Sequence, residues 1–144
     1  LIQIVYESSL IKAFIVSNDE KEKGDRALLN FGHTYGHAFE AIQSLEGFSH
    51  GQAVGLGMIC ASHLSFLLKK ISSDEFEKIK NLIKSAGLPH EIPENFDVND
   101  FIEAMSRDKK ILDKKLRFIT LRGLGSAEIT EDPPEDLVLK SINL

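Results

Sequence analysis

The chain has 144 residues, of which 42% are hydrophobic and 27% charged, and its formal net charge at pH 7 is −5. This length suits one domain with its own core, and the acidic balance argues against non-specific binding to nucleic acid or to an anionic membrane. No apolar run reaches the roughly 20 residues of a membrane span, and a single cysteine, Cys60, excludes an internal disulfide. We therefore expect a cytoplasmic protein without nucleic-acid or membrane partners, in which Cys60 is a buried and inert thiol.

The first predicted elements are two helices separated by a charged connector. Apolar residues recur at a helical period over residues 1–17, and a second helix is predicted from Arg26 to about Leu45, where Gly47 stops it. The chain begins at Leu1 directly within an apolar segment. We therefore expect it to be a piece of a longer polypeptide.

A central helix is predicted over residues 49–70, which are apolar on most sides. Gly51, Gly55 and Gly57 lower the helix propensity of this segment. Such glycines are usually found where a neighbouring backbone or a ligand comes close. We expect a close approach at this helix.

The remaining elements are short. Ser72 and Glu75 form a capping box that predicts a helix over 74–86, and another short helix is predicted over 98–107. Residues 116–121, "LRFITL", give a strand signal that turns back toward "SAEIT", and a last short helix follows. The predicted fold class is mainly α with a minor β-hairpin near the C-terminus.

Histidines supply the most distinctive chemistry. His33 and His37 are spaced i, i+4 within "NFGHTYGHAFEA", so one helix face carries both, and His50 follows a glycine-marked turn that could return it beside them. Two histidines make an incomplete zinc site, so a metal centre and a set of hydrogen-bonded, half-buried histidines both stay open. His63 is predicted to pack in the core, and His90 to lie on the surface.

Cationic residues flank this segment. Arg26 stands one helical turn before Asn30, which stands nearly one turn before His33, and arginine is well suited to bidentate binding of phosphate or carboxylate. This alignment predicts an anionic substrate. Lys109 and Lys110 belong to a basic run that is either a solvated loop or a segment that closes over a phosphate.

The quoted motif also carries a resemblance. "RALLNFGHTYGHAFEAI" followed by "HGQAVGLGM" strongly resembles the C-terminal domain of 3-dehydroquinate synthase, in the sugar phosphate cyclase superfamily. "SLIKAFIVSNDEKEKGDRALLNFGH" and "MSRDKKILDKKLRFITLRGLGSA" are similar to the flanking segments, so the likeness covers essentially the whole chain. It implies that residues 1–144 form the helical, metal- and substrate-binding C-terminal domain of a two-domain fold. The N-terminal NAD-binding domain is absent from this chain, which shows no glycine-rich dinucleotide motif after a strand.

The resemblance also implies roles for individual residues. The family's zinc or cobalt is held by one glutamate and two histidines, which match His33 and His50, while the glutamate belongs upstream of Leu1. His37 matches a histidine on the substrate side of the site, near the departing phosphate. The resemblance therefore implies that His33 and His37 do not chelate the metal as an i, i+4 pair. The polar substrate and active-site positions match Lys12, Glu22, Arg26, Asn30 and one of Lys109 and Lys110.

One position departs from the family pattern. The family commonly has glutamate where this chain has Gln52 in "HGQ". An amide removes negative charge near the metal but leaves both histidine ligands intact. We interpret Gln52 as tuning the hydrogen bonds around the site, with no acid–base role.

The implied activity is that of a phosphate-eliminating carbon–oxygen lyase. The family converts 3-deoxy-D-arabino-heptulosonate 7-phosphate into 3-dehydroquinate and phosphate, a step of the shikimate pathway to aromatic amino acids, with NAD and a divalent metal. A homodimer is expected, and this chain alone is expected to fold without catalysing the reaction. The alternatives are another sugar phosphate cyclase, a metal-dependent glycerol or alcohol dehydrogenase, and a non-catalytic association module.

Overall fold

The computed structural model describes residues 2–19, 24–42, 48–93, 96–112 and 115–144, without the side chains of residues 107–112. Within these ranges the chain is mostly helical, as predicted, with one small hairpin. The elements are α1 (Ile2–Asn18), a 3₁₀ helix (Asp25–Asn30), α2 (His33–Ala41), α3 (His50–Leu67), α4 (Ser73–Ser85), α5 (Val98–Leu112), β1 (Arg117–Leu121), β2 (Ala127–Glu131) and α6 (Glu135–Ser141). They fall into two compact units, one up to Asn30 and one from Phe31 onwards.

The first unit consists of α1 and the 3₁₀ helix. The predicted first helix is confirmed by α1. The 3₁₀ helix begins where the Asp19 carboxylate accepts hydrogen bonds from the backbone N–H groups of Gly24 and Arg26, at 2.8 and 3.2 Å. This side chain therefore caps the backbone donors that the short helix itself leaves unsatisfied.

The predicted single helix from Arg26 to about Leu45 is wrong, because the segment is interrupted. The 3₁₀ helix ends at Asn30, and α2 begins only at His33, after a turn in which Gly32 has a φ of 82°. This left-handed conformation is accessible to glycine at little cost and stops a right-handed helix. The helix end predicted at Gly47 lies outside the described residues.

The second unit is built around α3. This helix is buried on most sides, and α2, α4, α6 and β1 all pack against it. Its side chains form the core together with Phe39 from α2 and Phe101 from α5. The buried apolar residues of α3 are Ala53, Val54, Leu56, Ile59, Cys60, Ala61 and Leu64.

Tyr35 fastens α2 to this core. Its fully buried ring lies between Phe101 and Phe118, with centroids 6.1 and 5.2 Å away, and its hydroxyl lies 2.6 Å from Ser141 Oγ. Ser141 Oγ donates to the carbonyl of Val138, so the Tyr35 hydroxyl donates to Ser141. Burial raises the pKa of Tyr35 and keeps this hydroxyl protonated. The inward direction of Tyr35 turns the opposite face of α2 outward.

The capping box predicted for α4 is confirmed and has a second use. Glu75 accepts hydrogen bonds from the backbone N–H and the hydroxyl of Ser72, both at 2.9 Å, while its other oxygen accepts from the N–H of Leu124 at 3.1 Å. Leu124 lies in the turn between β1 and β2. One carboxylate therefore caps α4 and holds the hairpin turn against it.

The predicted hairpin is confirmed as an antiparallel pair in which Ile119 faces Ile129. Lys70, in the turn between α3 and α4, extends to both strands. Its ammonium group donates to the hydroxyls of Thr120 and Thr130, at 3.1 and 2.6 Å, and pairs with a carboxylate oxygen of Glu128 at 2.7 Å. The hairpin is thus fixed to the helical core by polar contacts as well as by burial.

The helix predicted over 98–107 is longer in the structure, where α5 continues to Leu112. No glycine or proline follows to stop it, and Ile111 and Leu112 extend the apolar pattern. Lys109 and Lys110 therefore belong to the end of a helix and not to the predicted loop. Their side chains lie outside what the structure describes.

Among the described residues, no helix is both long and apolar enough to cross a membrane.

Candidate functional site

Glycines bring α2 and α3 together at the histidine motif. A Cβ placed on Gly57 would overlap the carbonyl oxygen of Gly32 and lie 2.9 Å from the backbone nitrogen of Gly36. A Cβ on Gly32 would lie 2.6 Å from the backbone nitrogen of Met58. The expected close approach is therefore confirmed at Gly57, where a backbone is the neighbour, while Gly51 has no atom within 4 Å of its Cβ position.

Three imidazole rings meet where these two helices come together. The ring centroid of His33 lies 5.7 Å from that of His37 and 5.5 Å from that of His50, and those of His37 and His50 are 6.2 Å apart. The predicted return of His50 to the first pair is confirmed. We call His33, His37 and His50 the histidine face; His37 and His50 are exposed and His33 is half-buried.

Two of these rings have an acceptor at Nδ1. The Nδ1 atom of His50 lies 3.0 Å from a carboxylate oxygen of Glu40, and that of His33 lies 3.4 Å from the carbonyl oxygen of Phe31. An imidazole that donates through Nδ1 keeps a lone pair on Nε2, which is the form that binds a metal. The donor set of His33 and His50 therefore fits a divalent metal such as zinc.

These donors do not complete a metal site by themselves. The described part of the chain contains no group of three histidine, cysteine, aspartate or glutamate side chains arranged to hold an ion. A catalytic zinc usually has three protein ligands and one open position. This chain therefore offers two histidine ligands, and a complete metal site would need a further ligand from another part of the protein.

Gln52 has a structural task at the start of α3. Its side-chain oxygen accepts from the backbone N–H of Ser49 at 2.8 Å, and the Ser49 hydroxyl accepts from the N–H of Gln52 at 3.4 Å. This reciprocal capping box fixes the first turn of α3, where His50 lies. An amide oxygen fills this role as a carboxylate would, so the departure at Gln52 keeps the cap.

The other predicted site residues lie elsewhere in the chain. Lys12, Arg26 and Asn30 belong to the first unit, and their predicted place beside the histidine face stays a prediction. Glu22 lies outside the described residues, as do the side chains of Lys109 and Lys110. Their proposed contacts with an anionic substrate also stay predictions.

The remaining histidines and the cysteine take no part in this cluster. His63 packs as predicted, with its ring stacked 5.0 Å from Phe76 and its Nδ1 donating to the Ser141 carbonyl at 3.0 Å. His90 is half-buried, so the predicted surface position is only partly right. Cys60 is fully buried, as predicted, and burial raises the pKa of its thiol, which disfavours the reactive thiolate.

Glu40 was missed by the sequence analysis. It follows His33 and His37 at i+7 and i+3 on α2, so one stripe of the helix carries all three side chains. Counting the helical period for every polar residue, and not for histidines alone, would have placed Glu40 on this face of α2 but not against His50.

A cavity of about 340 Å³ lies away from the histidines, between α5, the hairpin and α6. Its lining is largely apolar and includes Phe101, Met105, Phe118 and Val138. No residue of the histidine face lines it, so we do not assign the predicted chemistry to this cavity.

Comparison with known proteins gives a consistent result. Residues 1–111 match the family described as 3-dehydroquinate synthase C-terminal. The chain is 44% identical over 142 residues to a 3-dehydroquinate synthase of Acinetobacter baumannii (strain AYE), covering 99% of this chain and 39% of that protein. It is 41% identical over 143 residues to the enzyme of that name from Vibrio atlanticus (strain LGP32), covering 99% and 40%. The chain thus spans about two fifths of the length of these relatives.

Two solved structures align with most of this chain. A 2-deoxy-scyllo-inosose synthase complexed with carbaglucose-6-phosphate, NAD⁺ and Co²⁺ aligns with a TM-score of 0.78 at 25% identity, covering 91% of this chain and 37% of that one. A 2-epi-5-epi-valiolone synthase from Streptomyces hygroscopicus subsp. jinggangensis 5008, with NAD⁺ and Zn²⁺ bound, aligns with a TM-score of 0.82 at 19% identity, covering 98% and 39%. At that identity the second structure bears on the fold alone.

Proposed function

Because the chain belongs to the family of 3-dehydroquinate synthase C-terminal domains, we propose that the complete protein is a 3-dehydroquinate synthase. It cyclises 3-deoxy-D-arabino-heptulosonate 7-phosphate to 3-dehydroquinate and releases phosphate. This chain contributes the side of the active site that holds the metal and the substrate. The remainder of the protein contributes the NAD-binding domain.

The observation that carries the proposal is the meeting of three imidazoles, 5.5–6.2 Å apart between centroids, where α2 and α3 cross. His33 and His50 would hold a divalent metal, zinc or cobalt, through their Nε2 atoms. When bound, the metal supplies Lewis acidity toward a substrate hydroxyl, and NAD supplies the hydride chemistry. A glutamate outside this chain would be the third ligand.

His37 has a different role in the proposal. Its ring lies beside both proposed ligands, yet its side chain is exposed. An exposed imidazole beside the two proposed ligands would be well placed to donate a hydrogen bond or a proton to the phosphate oxygen that leaves. We therefore assign His37 to the substrate and not to the metal.

The substrate carries a carboxylate and a phosphate, and cationic side chains would bind both. Arg26 suits bidentate binding of either group, while Lys12 and one of Lys109 and Lys110 supply point charges. Asn30 and Glu22 would orient hydroxyls through hydrogen bonds. These roles follow from the motif match. Together the residues would bind one anionic sugar acid through its carboxylate, phosphate and hydroxyl groups.

A second candidate is a related cyclase that acts on another sugar phosphate. It is favoured by the fold shared with the 2-deoxy-scyllo-inosose synthase, at 25% identity. The higher identity of 44% to a 3-dehydroquinate synthase makes the first candidate the stronger. Homodimer formation and a cytoplasmic location are part of the proposal for either candidate.

The test is phosphate release by the complete protein. Supplied with NAD and zinc, it should release phosphate from the heptulosonate phosphate and form dehydroquinate in equal amounts. Glucose 6-phosphate, which the carbocyclic ligand of the inosose synthase mimics, serves as the competing substrate. Release from glucose 6-phosphate alone would favour the second candidate, and release from neither substrate would contradict the first.

A further inference from the structure

Glu40 has the position of a residue that orients a metal ligand. It lies two helical turns after His33 on α2, and its carboxylate lies 3.0 Å from Nδ1 of His50, the first residue of α3. We propose that Glu40 is a positioning residue that holds the His50 ring so that Nε2 faces the metal. This inference rests on the proposed function in so far as that assigns a metal to His50.

His50 needs such a partner because the rings of His33 and His37, which lie beside its ring, do not set its tautomer. Its side chain is 59% exposed, and it begins a helix, so no preceding helical turn packs against it. A free imidazole in that position exchanges tautomers and rotates about its last side-chain torsion. A carboxylate that accepts the Nδ1 hydrogen fixes both the tautomer and the rotation of the ring. It also makes the lone pair of Nε2 a stronger ligand for a metal.

The contacts of the Glu40 carboxylate point to His50. Among the residues that the structure describes, no lysine or arginine pairs with the Glu40 carboxylate, and His50 is the group it contacts. The partner of the carboxylate is therefore the imidazole of His50. The Glu40 side chain is 32% exposed, against 59% for that of His50.

The three rings of the histidine face differ in the same respect. His33 and His50 each have an oxygen near Nδ1, from Phe31 and Glu40 respectively. In the described part of the chain, the His37 ring has contacts with the other two rings and no hydrogen-bond acceptor at either nitrogen. The pair proposed to bind metal is thus the pair whose tautomer the protein sets.

The experiment measures zinc affinity of the complete protein by competition with a chromogenic chelator, without substrate. Glu40→Ala should weaken zinc binding by about 10- to 100-fold, and Glu40→Gln should weaken it less, because an amide oxygen can accept the same hydrogen bond. Asp136→Ala is the matched control, since Asp136 is another exposed helical carboxylate, paired with Lys140. Its zinc affinity should equal that of the wild type.

A double variant tests whether Glu40 acts through His50. In a His50→Ala background, Glu40→Ala should cause no further loss of zinc affinity, while the thermal unfolding midpoint of the metal-free protein should be the same with and without Glu40. Unchanged zinc affinity in Glu40→Ala would overturn the inference, as would an equal loss in the His50→Ala background. If Glu40→Ala does not fold, the same criteria apply to Glu40→Gln.

This readout is separate from the proposed function. Zinc affinity that depends on Glu40 in a protein that forms no dehydroquinate would sustain the inference and contradict the assigned reaction. Dehydroquinate formation by a protein whose zinc affinity does not depend on Glu40 would support the assigned reaction and overturn the inference.

Discussion

Gly57 and Gly32 lie so close together that the carbonyl of Gly32 occupies the space a side chain on Gly57 would need. This contact sets the distance between α2 and α3, and with it the distance between His33 on one helix and His50 on the other. Interiors packed at this density do not accommodate an added methyl group without movement. The separation of the histidines is thus fixed by two residues that have no side chains.

Gly57→Ala should therefore destabilise the complete protein by at least about 1–3 kcal/mol and reduce its zinc content, because the added methyl group forces the helices apart. Gly51→Ala is the matched control on the same helix, since its Cβ would meet no atom within 4 Å. That change should be neutral or stabilising by up to about 1 kcal/mol. Urea unfolding and metal analysis measure both, and equal stability of the two variants would contradict the packing argument.

Gln52 gives a second prediction, at the start of α3. Gln52→Glu should preserve the capping box and raise the free energy of unfolding by about 0.3–1 kcal/mol, because a negative charge in the first turn interacts favourably with the helix dipole. Gln52→Ala should lose the bond to the Ser49 backbone and destabilise the protein by roughly 1 kcal/mol. Unfolding of the metal-free variants measures this. A destabilised Gln52→Glu would mean that the amide is required for something other than the cap.

Local signals predicted most of the fold. The capping box of Ser72 and Glu75, the apolar period of α1 and the all-round apolar character of α3 each specify an element without reference to the rest of the chain. The break at Gly32 could not be predicted this way, because the sequence does not show that Met58 and Gly57 leave room there for backbone alone. A glycine that lies within a helical pattern is predicted to be helical, because the sequence does not show which residues pack against it.

The candidate site was predicted to a lesser extent. Helical spacing placed His33 and His37 on one face, and the glycine-marked turn predicted the return of His50 that the fold confirms. Glu40 was missed because its significance depends on a residue ten positions later in another helix. The roles of Arg26 and Lys12 rest on the motif match, since no local pattern distinguishes a substrate-binding cation from a solvated one.

His63 should make stability depend on pH below the ordinary imidazole pKa of 6.5. Burial lowers the pKa of its imidazole from the usual 6.5, the hydrogen bond to the Ser141 carbonyl opposes this shift, and Lys80 adds to it. Between the lowered pKa and 6.5 the unfolded chain binds more protons than the folded chain, so stability is complete above pH 6.5 and falls as the pH decreases through this window. Below the folded pKa this contribution becomes constant.

His63→Phe is the variant that isolates this effect. It keeps the aromatic stack with Phe66 and Phe76 and removes the titrating group. Urea unfolding of the metal-free protein at pH 7.5, 6.5 and 5.5 should show a smaller pH-dependent loss in the variant than in the wild type. Parallel pH profiles would contradict the role of His63, since the other four histidines are common to both proteins.

The central claim is that the histidine face divides its work, with His33 and His50 binding the metal and His37 serving the substrate. The most direct measurement is the zinc content of the complete protein after purification and dialysis, for the wild type and for alanine variants at each of the three positions. We predict that His33→Ala and His50→Ala lose most of the zinc, and that His37→Ala retains it while its turnover falls sharply. Equal loss of zinc in the His37 variant would restore the i, i+4 chelate of His33 and His37 and contradict the account.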